Sequence, residues 1–177
     1  QQQHRHAVET APGSLFQELF GSIFDIHFRA ISPLNIDRES LFDALGYAQI
    51  CYERPYQKDT MNSFHNALHA ADTLVCAGSI LYTIHRNAFP IDYFRPELQY
   101  ALGIAALFHD FHHPGVQADF LKHTREPTAL RYEGNSLLER MHCAETLELL
   151  SKFKCLPEDD VQYSNFRKAC TQMILAT

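Results

Sequence analysis

The stretch Phe108-His109-Asp110-Phe111-His112-His113-Pro114-Gly115 constrains this chain more than any other. Three imidazoles and a carboxylate fall within five residues, at the end of an apolar run from Leu98 to Phe108. In that run Leu98, Ala101, Leu102, Ile104, Ala105, Ala106, Leu107 and Phe108 occupy all sides of a helix. That pattern predicts a helix buried in the middle of a bundle. Pro96 suits its first position, and the pattern carries it to His112. A buried helix that closes on His-Asp brings a carboxylate into the interior, which is costly without a partner. A divalent cation is such a partner, and imidazole with carboxylate is a ligand set for one. The two oxygens of Asp110 allow it to bridge two ions. His113 lies one turn beyond His109 on the same face, whereas His112 points elsewhere and reads as a surface or rim histidine.

A second cluster lies upstream. A helix from about Asn62 to Arg86, with Phe64, Leu68, Val75, Ile80 and Leu81 among its apolar residues, places His65, His69 and Asp72 on one face. Two histidines one turn apart can share one metal, or one can bind while the other handles protons. Taken alone, the HxxxH spacing marks a surface pair or a satisfied core histidine more often. Asp72 is placed to orient an imidazole through its second nitrogen. Two histidine clusters on two helices favour the metal assignment, because each supplies what the other lacks. Glu139 and His142 form a third set on a later helix: Glu139 is placed to hydrogen-bond a metal-site water, although a lone Glu on a helix is more often solvated, and His142 also reads as a core residue.

The remaining pattern is helical throughout. Ser14 and Gln17 form a capping box ahead of Leu15, Phe16, Leu19, Phe20 and Ile23. Ser32-Pro33 breaks that segment. Asp37 or Ser40 starts a second helix that Pro55 ends, Phe89 to Arg95 connects the third helix to the fourth, and a short helical piece covers about Thr128 to Tyr132. Asn135 or Ser136 caps a helix through Leu150, and a last helix begins between Glu158 and Asp160. No alternating strand and no internal repeat is present. The expected class is all-α: residues 1–13 as a flexible lead-in carrying His4 and His6, and 14–177 as one domain or part of one. Both ends look cut. The chain begins on Gln1 and finishes on the apolar Ile174-Leu175-Ala176-Thr177 with nothing to close the helix, as expected of an excerpt from a longer protein.

Composition narrows the function classes. With 46% hydrophobic and 20% charged residues the chain is globular in character. A net charge of −6 disfavours nucleic acid as a partner, although metal ions can reverse the sign locally for a small phosphate ester. The five cysteines are odd in number and form no CxxC, which argues for a reducing, cytoplasmic setting and against a disulfide framework. No apolar run approaches membrane-spanning length. No nucleophile elbow and no glycine-rich phosphate loop is present.

Phe64-His65-Asn66-Ala67-Leu68-His69-Ala70-Ala71-Asp72, followed by His109-Asp110-Phe111-His112-His113-Pro114-Gly115-Val116, resembles the catalytic domain of the class I 3′,5′-cyclic nucleotide phosphodiesterases. That family belongs to the HD superfamily of metal phosphohydrolases. The resemblance continues through Asp119-Phe120-Leu121, Leu130-Arg131-Tyr132, Ser136-Leu137-Leu138-Glu139, His142 and Ile174-Leu175-Ala176-Thr177, so it runs from about Leu41 to the end. It implies a multi-helical bundle of the HD type, truncated on its C-terminal side. It also implies hydrolysis of cyclic AMP, cyclic GMP or both to the nucleoside 5′-monophosphates. His65 matches the general acid that protonates the departing 3′ oxygen. His69, His109 and Asp110 match the ligands of a tightly held metal, zinc in the family, and Asp110 also reaches a second ion, magnesium or manganese. His113 and Glu139 match groups around the metal waters.

The chain departs from the family pattern at Phe64, where tyrosine is usual, at His112, at Ala118 in place of asparagine, and at Tyr132-Glu133-Gly134 in place of Tyr-Asn-Asp. Ala118 and Gly134 are expected to remove polar groups near the site. The resemblance places a fourth zinc ligand and the base-gripping glutamine beyond Thr177, so this piece alone is expected to be inactive or nearly so. Tethering to a membrane by regions outside the chain is compatible with all of this. Two alternatives stand beside the enzyme: a catalytically impaired relative serving as a binding or scaffold module, and an HD phosphohydrolase with another phosphate substrate.

Overall fold

A computed structural model describes residues 13–27, 29–54, 62–87, 95–132 and 134–177. Within them the chain is helical without a strand, as expected. The elements in order are α1 (Leu15–Phe20), a π-helical turn (Gly21–His27), a 3-10 turn (Ser32–Leu34), α2 (Arg38–Glu53), α3 (Ala67–Arg86), α4 (Pro96–Phe108), α5 (Ala118–His123), α6 (Pro127–Arg131), α7 (Leu137–Lys152) and α8 (Asp160–Leu175). The histidines at 4 and 6, Pro55, Glu133 and most of the 89–95 connection lie outside the described residues.

The capping signals act where the sequence places them for α1, α2 and α8, but not for α7. Ser14 Oγ accepts from Gln17 N at 3.3 Å and Gln17 Oε1 accepts from Ser14 N at 3.2 Å, closing the capping box. Gln17 Nε2 also donates to the Phe42 carbonyl at 2.8 Å, which ties α1 to α2. Asp37 accepts from Ser40 N at the start of α2, and Asp159 from Val161 N and Gln162 N at the start of α8. Ser136 stands at the head of α7 with a left-handed φ of 57° and makes no side-chain cap.

α4 is the central helix. Nine of its thirteen residues are buried, and it packs most extensively on α8 and then on α3. Tyr100, fully buried, stacks on Phe166 of α8 and donates its hydroxyl to the Cys155 carbonyl at 2.8 Å. Burial pushes that phenol well above its ordinary pKa, so it stays a donor. Glu97 is buried at the N-terminal turn, where it accepts from Asn165 Nδ2 of α8 at 3.1 Å and faces Arg95 at 3.6 Å.

Two helix boundaries differ from the sequence expectation. α3 begins at Ala67 and not near Asn62, because Asn66 Oδ1 accepts from the Leu68 and His69 amides and fixes the start there. α4 ends at Phe108 and not at His112, with residues 109–112 forming turns. The apolar residues of α3 also face differently. Phe64, Leu68, Val75 and Ile80 are exposed, and the buried face is Ala67, Ala70, Ala71, Leu74, Gly78 and Leu81. By length and hydropathy α3 is able to cross a membrane (20 residues, mean hydropathy 1.3), which the sequence reading missed; here it packs in the bundle on α1, α2 and α4. The short helix α5 was also not expected.

Close approach requires glycine at Gly103, as it does at Gly21 and Gly78. A Cβ on Gly103 would lie 2.8 Å from Phe20 Cε2 and 3.0 Å from Phe24 Cγ, so α4 meets the α1 segment through backbone. Gly103→Ala is expected to destabilise the fold by about 1–3 kcal/mol through overpacking, read as a lower urea midpoint. Asn66→Ala is expected to cost about 1 kcal/mol through loss of the α3 cap, measured the same way.

Candidate metal centre

The C-terminal end of α4 leaves carbonyls that the helix itself cannot satisfy. His109 Nδ1 donates to the Ala106 carbonyl at 3.0 Å, and the Tyr52 hydroxyl of α2 donates to the Leu107 carbonyl at 2.8 Å. Phe111 N donates to the Phe108 carbonyl at 3.0 Å. One turn later His142 Nδ1 of α7 donates to the Phe111 carbonyl at 2.7 Å. These bonds fix the backbone that carries His109, Asp110 and His113.

Committing Nδ1 of His109 to a carbonyl leaves Nε2 as the lone-pair nitrogen of the neutral ring. That atom lies 3.2 Å from His69 Nε2 and 3.0 Å from Asp110 Oδ2, and His69 Nε2 lies 3.4 Å from the same oxygen. Three donor atoms therefore converge on one point. Metal–ligand bonds of roughly 2.0–2.1 Å in a tetrahedron give ligand–ligand edges of roughly 3.3–3.4 Å, close to this spacing. His69, His109 and Asp110 fit a divalent cation in donor chemistry as well as in geometry.

Burial and the neighbouring groups shift each of the three. Burial would raise the Asp110 carboxyl, but the hydrogen bond and charge of His109, with His65 and His142 nearby, hold it at about 2. Burial, with the charge of His109, lowers His69. Burial lowers His109 too, yet the hydrogen bond and charge of Asp110 outweigh it and leave that ring raised. The carboxylate is thus ionised across the useful pH range, as a ligand must be.

His65 lies before α3 and not on it, so His65, His69 and Asp72 do not share a helix face. His65 nevertheless reaches the site. Its ring stacks on His113 with centroids 3.7 Å apart and planes at 12°. His65, His113 and Asp110 form a second group whose ligand-type atoms lie within 4.8 Å of one another. Behind His113 the buried His142 ring follows at 5.6 Å, so three imidazoles stand in a row. Burial, then the charges of His65 and His142, push His113 down to about 4, which keeps it neutral.

Glu139 lines the same cavity. Asp72 is exposed and does not line it, acting on His69 only as a minor distant charge. His112 is on the rim as expected, with Nδ1 3.3 Å from Glu145 Oε2 and its ring stacked on Phe111. Neither Ala118 nor Gly134 is among the residues that line the cavity. Sequence reasoning passed over the parts played by Tyr52 and Asn62, whereas its core reading of His142 agrees with the burial of that ring. The Asx pattern Asn62…His65 and Asn66…His69 was the available signal for the asparagines; nothing local marks Tyr52.

The cavity measures about 620 Å³ and is open on one side. His65, His69, His109, Asp110, His113, Glu139 and His142 make its polar wall, and Ile80, Leu102, Ala105, Ala106, Leu138 and Met173 its apolar one.

Comparison with known proteins agrees with this geometry. The family model described as 3′5′-cyclic nucleotide phosphodiesterase matches residues 64–177. A Drosophila melanogaster protein named high affinity cAMP-specific and IBMX-insensitive 3′,5′-cyclic phosphodiesterase 8 is 31% identical over 157 residues, covering 85% of this chain and 16% of that protein. The Rattus norvegicus 3′,5′-cyclic-AMP phosphodiesterase 4C is 34% identical over 118 residues, covering 65% and 21%. The chain thus spans about a fifth or less of these relatives. The phosphodiesterase domain of the RhoPDE fusion protein from the choanoflagellate Salpingoeca rosetta superposes with a TM-score of 0.73 at 24% identity, over 96% of this chain and 50% of that one, and shows the fold. With the family model matched across all the site residues and well over half its length, this chain belongs to the 3′,5′-cyclic nucleotide phosphodiesterase family.

Proposed function

We propose that the full-length protein hydrolyses 3′,5′-cyclic nucleotides to nucleoside 5′-monophosphates. The observation that carries this is the convergence of His69, His109 and Asp110 on one point, with His65 beside them in an open cavity. His69, His109 and Asp110 would hold zinc, and Asp110, with a second oxygen to offer, would share a magnesium or manganese ion. When bound, the two ions would supply Lewis acidity that makes a water nucleophilic and offsets charge on the phosphoryl oxygens.

The chain's own residues divide the remaining work. His65 would give a ring N–H proton to the 3′ oxygen as its bond to phosphorus breaks, so that it leaves as a hydroxyl. His113, kept neutral by burial, would support the His65 ring without competing for the proton. Glu139 would accept a hydrogen bond from water in the cavity. The apolar wall formed by Ile80, Leu102 and Met173 would exclude water from one side of the ester. The names of the relatives point to cyclic AMP as one substrate, and both nucleotides belong in the assay. All five cysteines are free thiols, which supports a reducing cytoplasmic setting.

The test is metal analysis and cyclic AMP and cyclic GMP hydrolysis by the full-length protein. Asp110→Ala is expected to lose both bound metal and turnover. His65→Ala is expected to keep its metal and lose about 10²–10⁴-fold in kcat. Retention of metal and turnover by Asp110→Ala would sink the assignment. Chelation followed by dialysis should abolish turnover, and readdition of zinc with magnesium should restore it.

A further inference from the structure

We infer that Asn62 positions His65 for proton donation by tethering the backbone of His65 to that of His113, an inference that rests on the hydrolase assignment above. His65 precedes α3, so no helical backbone fixes it. Asn62 Oδ1 accepts from His65 N at 3.0 Å and from Phe64 N at 3.4 Å. Asn62 Nδ2 donates to the His113 carbonyl at 3.4 Å, across 51 residues of sequence. The partners settle the orientation of the amide: backbone N–H groups face one end and a carbonyl faces the other.

The tether joins the two residues whose rings stack. A stacked ring pair with centroids 3.7 Å apart resists separation, but the stack alone does not fix how one ring slides over the other. Nor is the pair wedged in a packed core. His65 and His113 line the main cavity and also a second one of about 460 Å³ behind it, which Asn62 lines as well. His142 backs the His113 ring and Gly115 N donates to its Nδ1, so the two bonds of Asn62 are what carry that fixed position across to the backbone of His65. The metal ligands have separate supports. Asn66 sets His69, and the end of α4 sets His109 and Asp110. Asn62 therefore governs the acid and not the ion.

Asparagine is suited to this in a way aspartate is not. Aspartate keeps the acceptor that makes the local turn before α3 but has no donor for the His113 carbonyl. The pair of substitutions separates a turn-former from a tether.

The experiment compares wild type, Asn62→Ala and Asn62→Asp in the full-length protein. Four quantities are read: bound metal, kcat and KM for cyclic AMP and cyclic GMP, the rate with bis(4-nitrophenyl) phosphate, and the NOE between the His65 and His113 rings in histidine-labelled protein. Both variants are expected to keep metal and KM, to lose about 10²-fold in kcat for the cyclic nucleotide, and to lose the NOE. The nitrophenyl ester, whose leaving group departs without a proton, should be turned over as by wild type. Recovery of kcat and of the NOE by Asn62→Asp would overturn the tether and leave Asn62 as a turn residue. An equal loss on both substrates would overturn the link to the acid. A wild-type protein that hydrolyses no cyclic nucleotide would remove the hydrolase assignment instead, and the NOE in wild type against Asn62→Asp would still decide the tether.

Discussion

The carbonyls at the end of α4 are the constraint on which the site depends. Many helices close with a left-handed glycine that satisfies them locally. Here the Ala106, Leu107 and Phe111 carbonyls accept instead from His109 Nδ1, Tyr52 Oη and His142 Nδ1. Two of those donors come from other helices, so α2 and α7 are held to the end of α4 by the same bonds that finish it. Both imidazole donors spend Nδ1 on the backbone, which leaves Nε2 of each without its own proton in the neutral ring. One set of hydrogen bonds therefore sets the fold around α4, the ring orientations and the tautomers.

The approach of α3 to α4 completes the arrangement. The buried face of α3 is built from Ala67, Ala70, Ala71, Leu74, Gly78 and Leu81, mostly small residues that let the two backbones come close. The bulkier apolar residues, Phe64, Leu68, Val75 and Ile80, point outward, and Phe64 and Ile80 line the cavity. A face of large side chains in their place would hold His69 away from His109. Helix packing and ligand geometry are thus the same requirement, met in the first turn of α3, where Asn66 fixes the helix start three residues before His69.

Much of this was legible in the sequence, and what was not has physical causes. Helical periodicity, the Ser14–Gln17 box and the Asp37 cap are local signals, and they appear where the residues place them. The pairing of the two histidine clusters was also legible, because a buried His-Asp needs partners. The start of α3 was misplaced because Phe64, which is exposed and lines the cavity, continues the apolar pattern, so periodicity could not separate Phe64 and His65 from the helix. The same error put His65 on the face of His69. The end of α4 was misplaced because its closure is made by Tyr52, 55 residues away, and His142, 31 residues away from its carbonyl. No window of sequence contains such bonds. Asp72, placed by spacing alone, was drawn toward the site by a face that faces solvent.

The protonation of the cluster argues that it is built for a cation and not as a structural ion pair. His69 Nε2 and His109 Nε2 stand 3.2 Å apart. Charging both rings would set two cations at that distance, a repulsion of about 5 kcal/mol at the effective dielectric of a protein site. Burial and the charge of His109 lower His69, while the hydrogen bond and charge of Asp110 raise His109, so the two rings are not favoured to be charged together. A network of this kind leaves His69 Nε2 with a shared and poorly directed contact. A divalent ion at the same point satisfies both nitrogens and the carboxylate together, with no proton to divide. Replacing the three by apolar residues would remove the conflict without a metal, as buried ion pairs can often be replaced at little cost to stability. The arrangement makes physical sense when the ion, and not the fold, is what it serves.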